Sequence, residues 1–571
     1  MKKARIYSRV FTVFFASLSA AFAGEGGASV YVDATRLGST IPNVSQVLTV
    51  WNGATFDWSV QESREFPVGD FVEYVELMAC TGGSADRDLL RDPADRAVLD
   101  DYDFAPLVNA CRGILAHGAK PYLKLGNVPA KFTEGQDGGE FHINIRPPAD
   151  HAVHYRYMKA CAEVLKSAFG RDEVRTWRFA VLTEADNAHW FKAKSGGRAA
   201  TRDEFFRLYD YAVRAFEETL GEGLVIGSHF LNPRDAGAIS QFGIEDFIVH
   251  CASGTNAATG GVGAPLRLLT ISYYHRPCGD DLEAGRVAEM KRVVEAAREH
   301  GFTNLVAGVD EGRVIVAAKG RDRRDLVTRA LGASYEAAFD VRVVRSILDA
   351  GADYCASWGF FSGPCHAYEG VPSHHYFASR ELARLAGLRR VEAGTDGASA
   401  VSELDVLAGA SQDGKTVRVA VSRFRDRIVF TNGLEAMVRV QLPKEFAGKT
   451  VTVDTLMLDD RSNWFCDWER DRVKFGVAAA DFSWSPDDFA VLAPRGLTTP
   501  RFRELFAAEL QKGYAKRARA VVPVSRRHTV DKEGMVTLGL NFAGNGAAFI
   551  LVSGQGSGAS GQGAVSSCEA R

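Results

Sequence analysis

What this chain lacks narrows the field before any motif is considered. No HExxH and no CxxC spacing occurs, and its 13 histidines are scattered over 571 residues, so no metal site is expected. No Gly-rich phosphate turn follows an early strand, which argues against a doubly wound dinucleotide fold; no cofactor is expected. Charge of one sign is also missing. With 68 basic and 71 acidic residues the net charge is -3, giving nucleic acid or an anionic membrane surface little to hold. Beyond the amino terminus no apolar run reaches the roughly 20 residues a membrane-spanning helix needs, so no membrane insertion is expected. Nine cysteines, odd in number and irregularly spaced, do not form a disulfide framework. Cys355 and Cys365, flanking one loop, are the pair that could bond. The sequence does not set an oligomeric state.

What is present begins with a targeting segment. Lys2, Lys3, Arg5 and Arg9 precede a mostly apolar stretch from Val10 to Ala21, and Ala21-Phe22-Ala23 offers small residues to a signal peptidase. Residues 1–23 therefore read as a signal peptide with cleavage near Ala23, and the protein is expected to be exported, periplasmic or extracellular. A Cys at position 24, which a lipoprotein would need, is replaced by Gly24.

From residue 51 to 395 strand-length apolar runs alternate with amphipathic helices. Runs at 72–79, 121–125, 177–183, 224–230, 266–274, 304–309 and 352–360 are separated by helical patterns such as 149–169, closed by Gly170, and 282–300. Alternation of this kind implies parallel strands with right-handed crossovers, and its extent fits a (β/α)8 TIM barrel. Near residue 395 the grammar changes to short strands bounded by turns, among them Asp413-Gly414 and Asn432-Gly433. Residues 396–553 are expected to form an all-β sandwich interrupted by a helix at 500–514. Residues 24–50, with the alternating Ser29–Asp33 strand, are expected to join that sandwich. Residues 554–571 are a Gly- and Ser-rich tail.

Two positions carry the chemistry. The run from Trp177 ends in Thr183-Glu184, and the run from Asn304 ends in Asp310-Glu311. Side chains leaving the carboxyl ends of barrel strands face the mouth, where such folds hold their active sites. A pair of glutamates placed there is the equipment of glycoside hydrolysis, one as acid/base and one as nucleophile.

In these landmarks the chain resembles glycoside hydrolase family 39, of the clan of retaining barrel glycosidases. His117–Gly126 is similar to the family's passage into its third strand, Trp177–Asn187 to its fourth, and Ser357-Trp358 to its eighth. The resemblance implies that Glu184 is the acid/base and Glu311 the nucleophile, with carbohydrate as the substrate. That mechanism asks Glu184 to hold the proton and Glu311 to stay ionised, so a donor should face Glu311, and Tyr274 or Tyr273 is the candidate. Trp358 is expected to floor a sugar ring and Asn187 to line the entrance. Lys124 and Asn127, leaving strand three, are further candidates.

The departures are as informative. The family's Asn before the acid/base is Thr183, its following Pro is Ala185, and its second-strand Arg is Glu76. Glu76 is expected either to bind a sugar hydroxyl or to pair with another cation. Two other readings stand beside a retaining hydrolase: a barrel that binds glycans without catalysis, and an endo-acting enzyme of a neighbouring family in the same clan.

Overall fold

A computed structural model of the protein describes residues 28–50, 69–84, 87–135, 137–139, 142–232, 239–275, 283–314, 332–358, 371–396, 403–428, 430–478, 481 and 497–554. The signal segment, Cys365 with the Cys355–Cys365 pairing, and the expected tail lie outside these residues. The apolar runs become the strands of a parallel sheet, taken in chain order: β2 (Val47–Val50), β3 (Tyr74–Leu77), β4 (Lys120–Leu125), β5 (Arg178–Val181), β6 (Val225–Phe230), β7 (Leu268–His275) and β8 (Val306–Val314). A broken last strand, β9 (Tyr354–Cys355) and β10 (Ser357–Trp358), pairs with β8 on one side and β2 on the other, closing the barrel.

The expected barrel is present, with one shift at its start. Residues 24–50 were read as one segment of the sandwich, yet they divide. β1 (Ala28–Thr40) lies in the second sheet, whereas Val47–Val50 is the first barrel strand. Strand periodicity gives a segment's conformation but not its partner, so the division is invisible before pairing is known.

Each barrel strand sends alternate side chains inward. At the amino-terminal end of the barrel Val47, Tyr122, Ala180, Leu268, Tyr354 and Ala356 fill the interior as one apolar cluster. Residues of opposite parity, such as Leu123, Phe179, Leu269 and Ile271, pack outward in the core shared with the helices. Dense interior packing makes the barrel a rigid support rather than a pore.

The second sheet has nine strands in the order β16-β15-β18-β13-β12-β11-β1-β14-β17, hydrogen-bonded as one continuous mixed sheet. Its further members are β11 (Arg389–Asp396), β12 (Leu404–Ala410), β13 (Thr416–Arg423), β14 (Leu434–Gln441), β15 (Thr450–Asp459), β16 (Val524–Thr529), β17 (Met535–Phe542) and β18 (Gly546–Gly554). After β1 its next strand starts at Arg389, within the stretch expected to belong to the barrel. Apolar residues from both halves of the sheet, including Val30, Val419, Val438, Val453 and Leu538, share one core. A helix not expected from the sequence, Trp464–Phe475, follows β15; the Asn463 side chain caps it by accepting from the Phe465 N–H at 2.9 Å.

The two units are joined through helix Ser334–Asp349, which packs on β12, β13 and β18. Its Tyr335 hydroxyl donates to Asp426 at 2.6 Å, and the His275 ring at the end of β7 lies 3.2 Å from the same carboxylate. No helix among the described residues is long and apolar enough to cross a membrane.

Candidate active site

The inward residues of β7 build the site in steps. In Leu268-Leu269-Thr270-Ile271-Ser272-Tyr273-Tyr274-His275 the even positions face the barrel interior. Thr270, Ser272 and Tyr274 each donate a hydroxyl to a different acid: Asp310 at 2.5 Å, Glu184 at 2.6 Å and Glu311 at 2.6 Å. One strand thus supports three carboxylates at three depths.

Two of those carboxylates are neighbours in sequence, which an unbroken strand would send to opposite faces. The ladder between β7 and β8 shows why they do not diverge. Ile271 pairs with Val309 and Ser272 with Glu311, so Asp310 is an extra residue, a β-bulge. The bulge turns both Asp310 and Glu311 inward, the first down into the barrel and the second toward the mouth.

Asp310 is fully buried and is the hub of a polar layer beneath the mouth. Its carboxylate accepts from the Tyr122, Thr270 and Tyr354 hydroxyls and pairs with the Lys124 ammonium. Gly308 makes room for the Tyr354 ring: a Cβ there would fall 2.4 Å from a ring carbon. Lys124 also meets Glu76 at 3.1 Å, and the Thr49 hydroxyl lies 3.0 Å from Glu76 and 2.8 Å from the Asp310 carbonyl.

Glu76 therefore pairs with a cation from the next strand, the second of the two roles expected for it. All three charged side chains have no exposed surface. Burial opposes ionisation of Asp310, but Lys124 and the donors hold its carboxyl down at about 2. Burial, reinforced by the Asp310 charge, pushes Glu76 up to about 8. At neutral pH the layer thus holds one cation, one anion and one mostly protonated acid.

Above it Glu184 follows β5 through an irregular exit. Leu182 and Glu184 both adopt left-handed backbone, with φ of 67° and 43°. Conformations of this kind in non-glycine residues cluster where a side chain must be aimed. The turn is fastened by the Ala185 N–H donating to the His229 carbonyl at 2.8 Å and by the Asn187 N–H donating to the Glu184 carbonyl at 2.7 Å.

The Glu184 carboxylate accepts from Ser272 on one oxygen and from the Asn187 amide, at 2.7 Å, on the other. Asn187, expected to line the entrance, is thus engaged with the acid itself. An oxygen of Glu184, an oxygen of Glu311 and a ring nitrogen of His229 all lie within 4.8 Å of one another. Both carboxylates are buried, at 5% and 3% exposure.

Burial, then the charge of Glu184, raises the Glu311 carboxyl well above the ordinary carboxylate range, against the Tyr274 hydroxyl that favours its anion. Glu311 was expected to stay ionised and Glu184 to hold the proton. The Glu311 shift runs the other way, because burial and the Glu184 charge both oppose its anion. Two carboxyls this close titrate together rather than singly.

Of the two tyrosines, it is Tyr274 whose hydroxyl donates to Glu311. Thr183 is buried, and its hydroxyl has no hydrogen-bond partner; the same is true of both amide atoms of Asn127. The backbone of Trp358 pairs with Thr49, while its side chain lies outside the described residues. His229 and Ser272 escaped the sequence reading, their one signal being polar residues at inward-facing positions of apolar strands.

Among the described residues, three buried groups bring histidine and carboxylate atoms within 4.8 Å: Glu76–His229–Asp310, Glu184–His229–Glu311 and Glu336–Asp340–His375. In the first, Lys124 already pairs with both acids. In the second, Ser272 and the Glu184 backbone face the two ring nitrogens. In the third, the His375 ring lies 2.5 Å from Asp340.

Residues 87–300 match glycosyl hydrolases family 39. The expected resemblance to family 39 is borne out over this stretch, which includes Glu184 and ends short of Glu311.

A beta-xylosidase of Geobacillus stearothermophilus is 22% identical over 271 residues, 46% of this chain and 48% of that protein. The chain thus spans about half the length of that relative. Among solved structures, the GH39 enzyme from Xanthomonas axonopodis pv. citri superposes with a TM-score of 0.64 at 15% identity, over 94% of this chain and 99% of that one. A monomeric beta-xylosidase from Caulobacter crescentus CB15 gives 0.63 at 16% identity, over 92% and 99%. The family 39 structures share the fold, a TIM barrel with a second domain.

Proposed function

We propose that this protein is a retaining glycoside hydrolase in which Glu311 is the nucleophile and Glu184 the acid/base. The carrying observation is the approach of one Glu184 oxygen to one Glu311 oxygen within 4.8 Å across a single barrel mouth. Retaining enzymes hold their carboxyls about 5–5.5 Å apart, whereas inverting ones need about 6.5–9.5 Å to seat a water. In the reaction Glu311 attacks the anomeric carbon as Glu184 protonates the departing oxygen. Glu184 then takes a proton from water, which releases the sugar and restores Glu311. Tyr274, bonded to Glu311 at 2.6 Å, steadies the nucleophile's orientation.

The similarity to two proteins named beta-xylosidase makes a β-xyloside the first substrate to test. The amino-terminal segment supports the further proposal that the enzyme works after export. The experiment is turnover of aryl β-D-xylosides and a panel of other aryl glycosides by the wild type and by Glu184→Gln and Glu311→Gln. Proton NMR should show a first product of unchanged anomeric configuration, and both variants should lose activity by orders of magnitude. Glycan binding without turnover, or turnover indifferent to both substitutions, would overturn the proposal.

A further inference from the structure

A closed circuit of hydrogen bonds begins and ends on Glu184. Its backbone N–H faces His229 Nδ1 at 3.4 Å; His229 Nε2 lies 3.0 Å from Ser272 Oγ; Ser272 Oγ lies 2.6 Å from Glu184 Oε1. The direction of each bond follows from the first. A backbone amide can only donate, so Nδ1 must accept. A neutral imidazole then carries its proton on Nε2 and donates to Ser272. The serine oxygen, receiving that proton, turns its own toward Glu184. The ring is kept neutral because burial, with the Lys124 charge nearby, lowers its basicity far below the ordinary histidine value.

The serine is thereby an obligate donor, and the Asn187 amide is a second one on the other oxygen. Both of these bonds therefore favour Glu184 as an anion. Glu311 differs: Oε2 accepts from Tyr274, while the buried Oε1 has no hydrogen-bond partner.

We propose that His229 and Ser272 are positioning residues that hold Glu184 as the carboxylate in the free enzyme, so that the single proton of the pair rests on Glu311. The productive arrangement, with the proton on Glu184 and Glu311 ionised, is then the minor of two single-proton forms. This inference rests on the proposed glycosidase reading.

Among the described residues, these groups bear on the balance. Facing Glu184 are Asp186 of its own loop, His229 from β6, Tyr274 from β7 and Glu311 from β8. Facing Glu311 are Glu184, His229, Tyr274, Glu76 and Lys124. Lys124 is the one cation among them and is already paired with Asp310 and Glu76.

The test is the pH dependence of kcat/KM on an aryl glycoside that the wild type turns over. Where the proton rests on Glu311, the basic limb reports Glu311 and the acid limb Glu184. Removing a donor from the Glu184 anion by Ser272→Ala should raise the acid limb by about one to two pH units and leave the basic limb in place. Asn187→Ala, on the loop, removes the other donor and should move the same limb the same way. Ser272→Thr, keeping the hydroxyl, should restore the wild-type profile.

Movement of the basic limb instead would place the resting proton on Glu184. Profiles unchanged in both alanine variants would make the circuit a packing feature only. Either result overturns the inference while leaving the hydrolase reading intact. Absence of turnover by the wild type on every glycoside would instead remove the reading beneath it.

Discussion

Replacing Lys124 by Met tests whether the buried layer under the mouth is organised by one cation. Lys124 has no exposed surface, and it stands between Asp310 and Glu76, which are equally enclosed. With Glu76 raised to about 8 and Asp310 lowered to about 2, the charge at neutral pH is essentially one Lys124–Asp310 pair. Methionine matches the stem of lysine but removes the charge, leaving the Asp310 anion held by three hydroxyls alone.

Breaking a buried pair from one side costs about 3–5 kcal/mol. At roughly 2 °C per kcal/mol for a unit of this size, the melting temperature should fall by about 6–10 °C. Asp310→Asn should cost less, because Glu76 is at hand to ionise and take up the freed ammonium. The double variant should then lose about 1–3 kcal/mol less than the sum of its parts. Differential scanning calorimetry on all four proteins completes the cycle. Additive losses, or a Lys124→Met protein within about 1 kcal/mol of wild type, would refute a layer organised by its cation.

Three further outcomes follow from other contacts. Tyr274→Phe removes a donor to the Glu311 carboxylate and should lower kcat/KM about tenfold to a hundredfold with little change in melting temperature, measured on the same aryl glycoside. Asp426→Ala takes away the shared partner of Tyr335 and His275 and should lower the melting temperature by a few degrees without altering KM. Because Glu76 has a raised carboxyl in the folded state, it adds stability that is fully present below its ordinary value near 4.5 and lost as pH rises through about 8. Glu76→Gln should therefore flatten the decline in melting temperature between those limits, followed by calorimetry across that range.

Much of this could be read before any coordinates. The barrel follows from apolar runs alternating with helical patterns, and both acids follow from their places at the ends of such runs. What could not be read is pairing. Val47–Val50 reads as a strand in either unit and joins the barrel only through β3 and β10. The Asp310-Glu311 doublet is plain in the sequence, but the bulge that turns both inward depends on register with β7.

Glu76 and Lys124 are visible charges whose meeting depends on neighbouring strands bringing them to adjoining inward positions. His229 and Ser272 resemble ordinary interruptions of apolar strands until the circuit through Glu184 joins them. The unexpected helix Trp464–Phe475 carries six charged residues among twelve and offers little apolar periodicity to read.

The place of β1 has a consequence for how the molecule is made. This first strand lies between β11 and β14, antiparallel to one and parallel to the other. On a ribosome, Ala28–Thr40 emerges early and must wait until Leu434–Gln441 has been synthesised before both its edges are covered. At about 5–20 residues per second that interval lasts tens of seconds. During it the strand's open edges are available to other chains. A barrel cut free of the later strands would inherit that exposed edge permanently, so removing β1 together with them is the sounder way to isolate it.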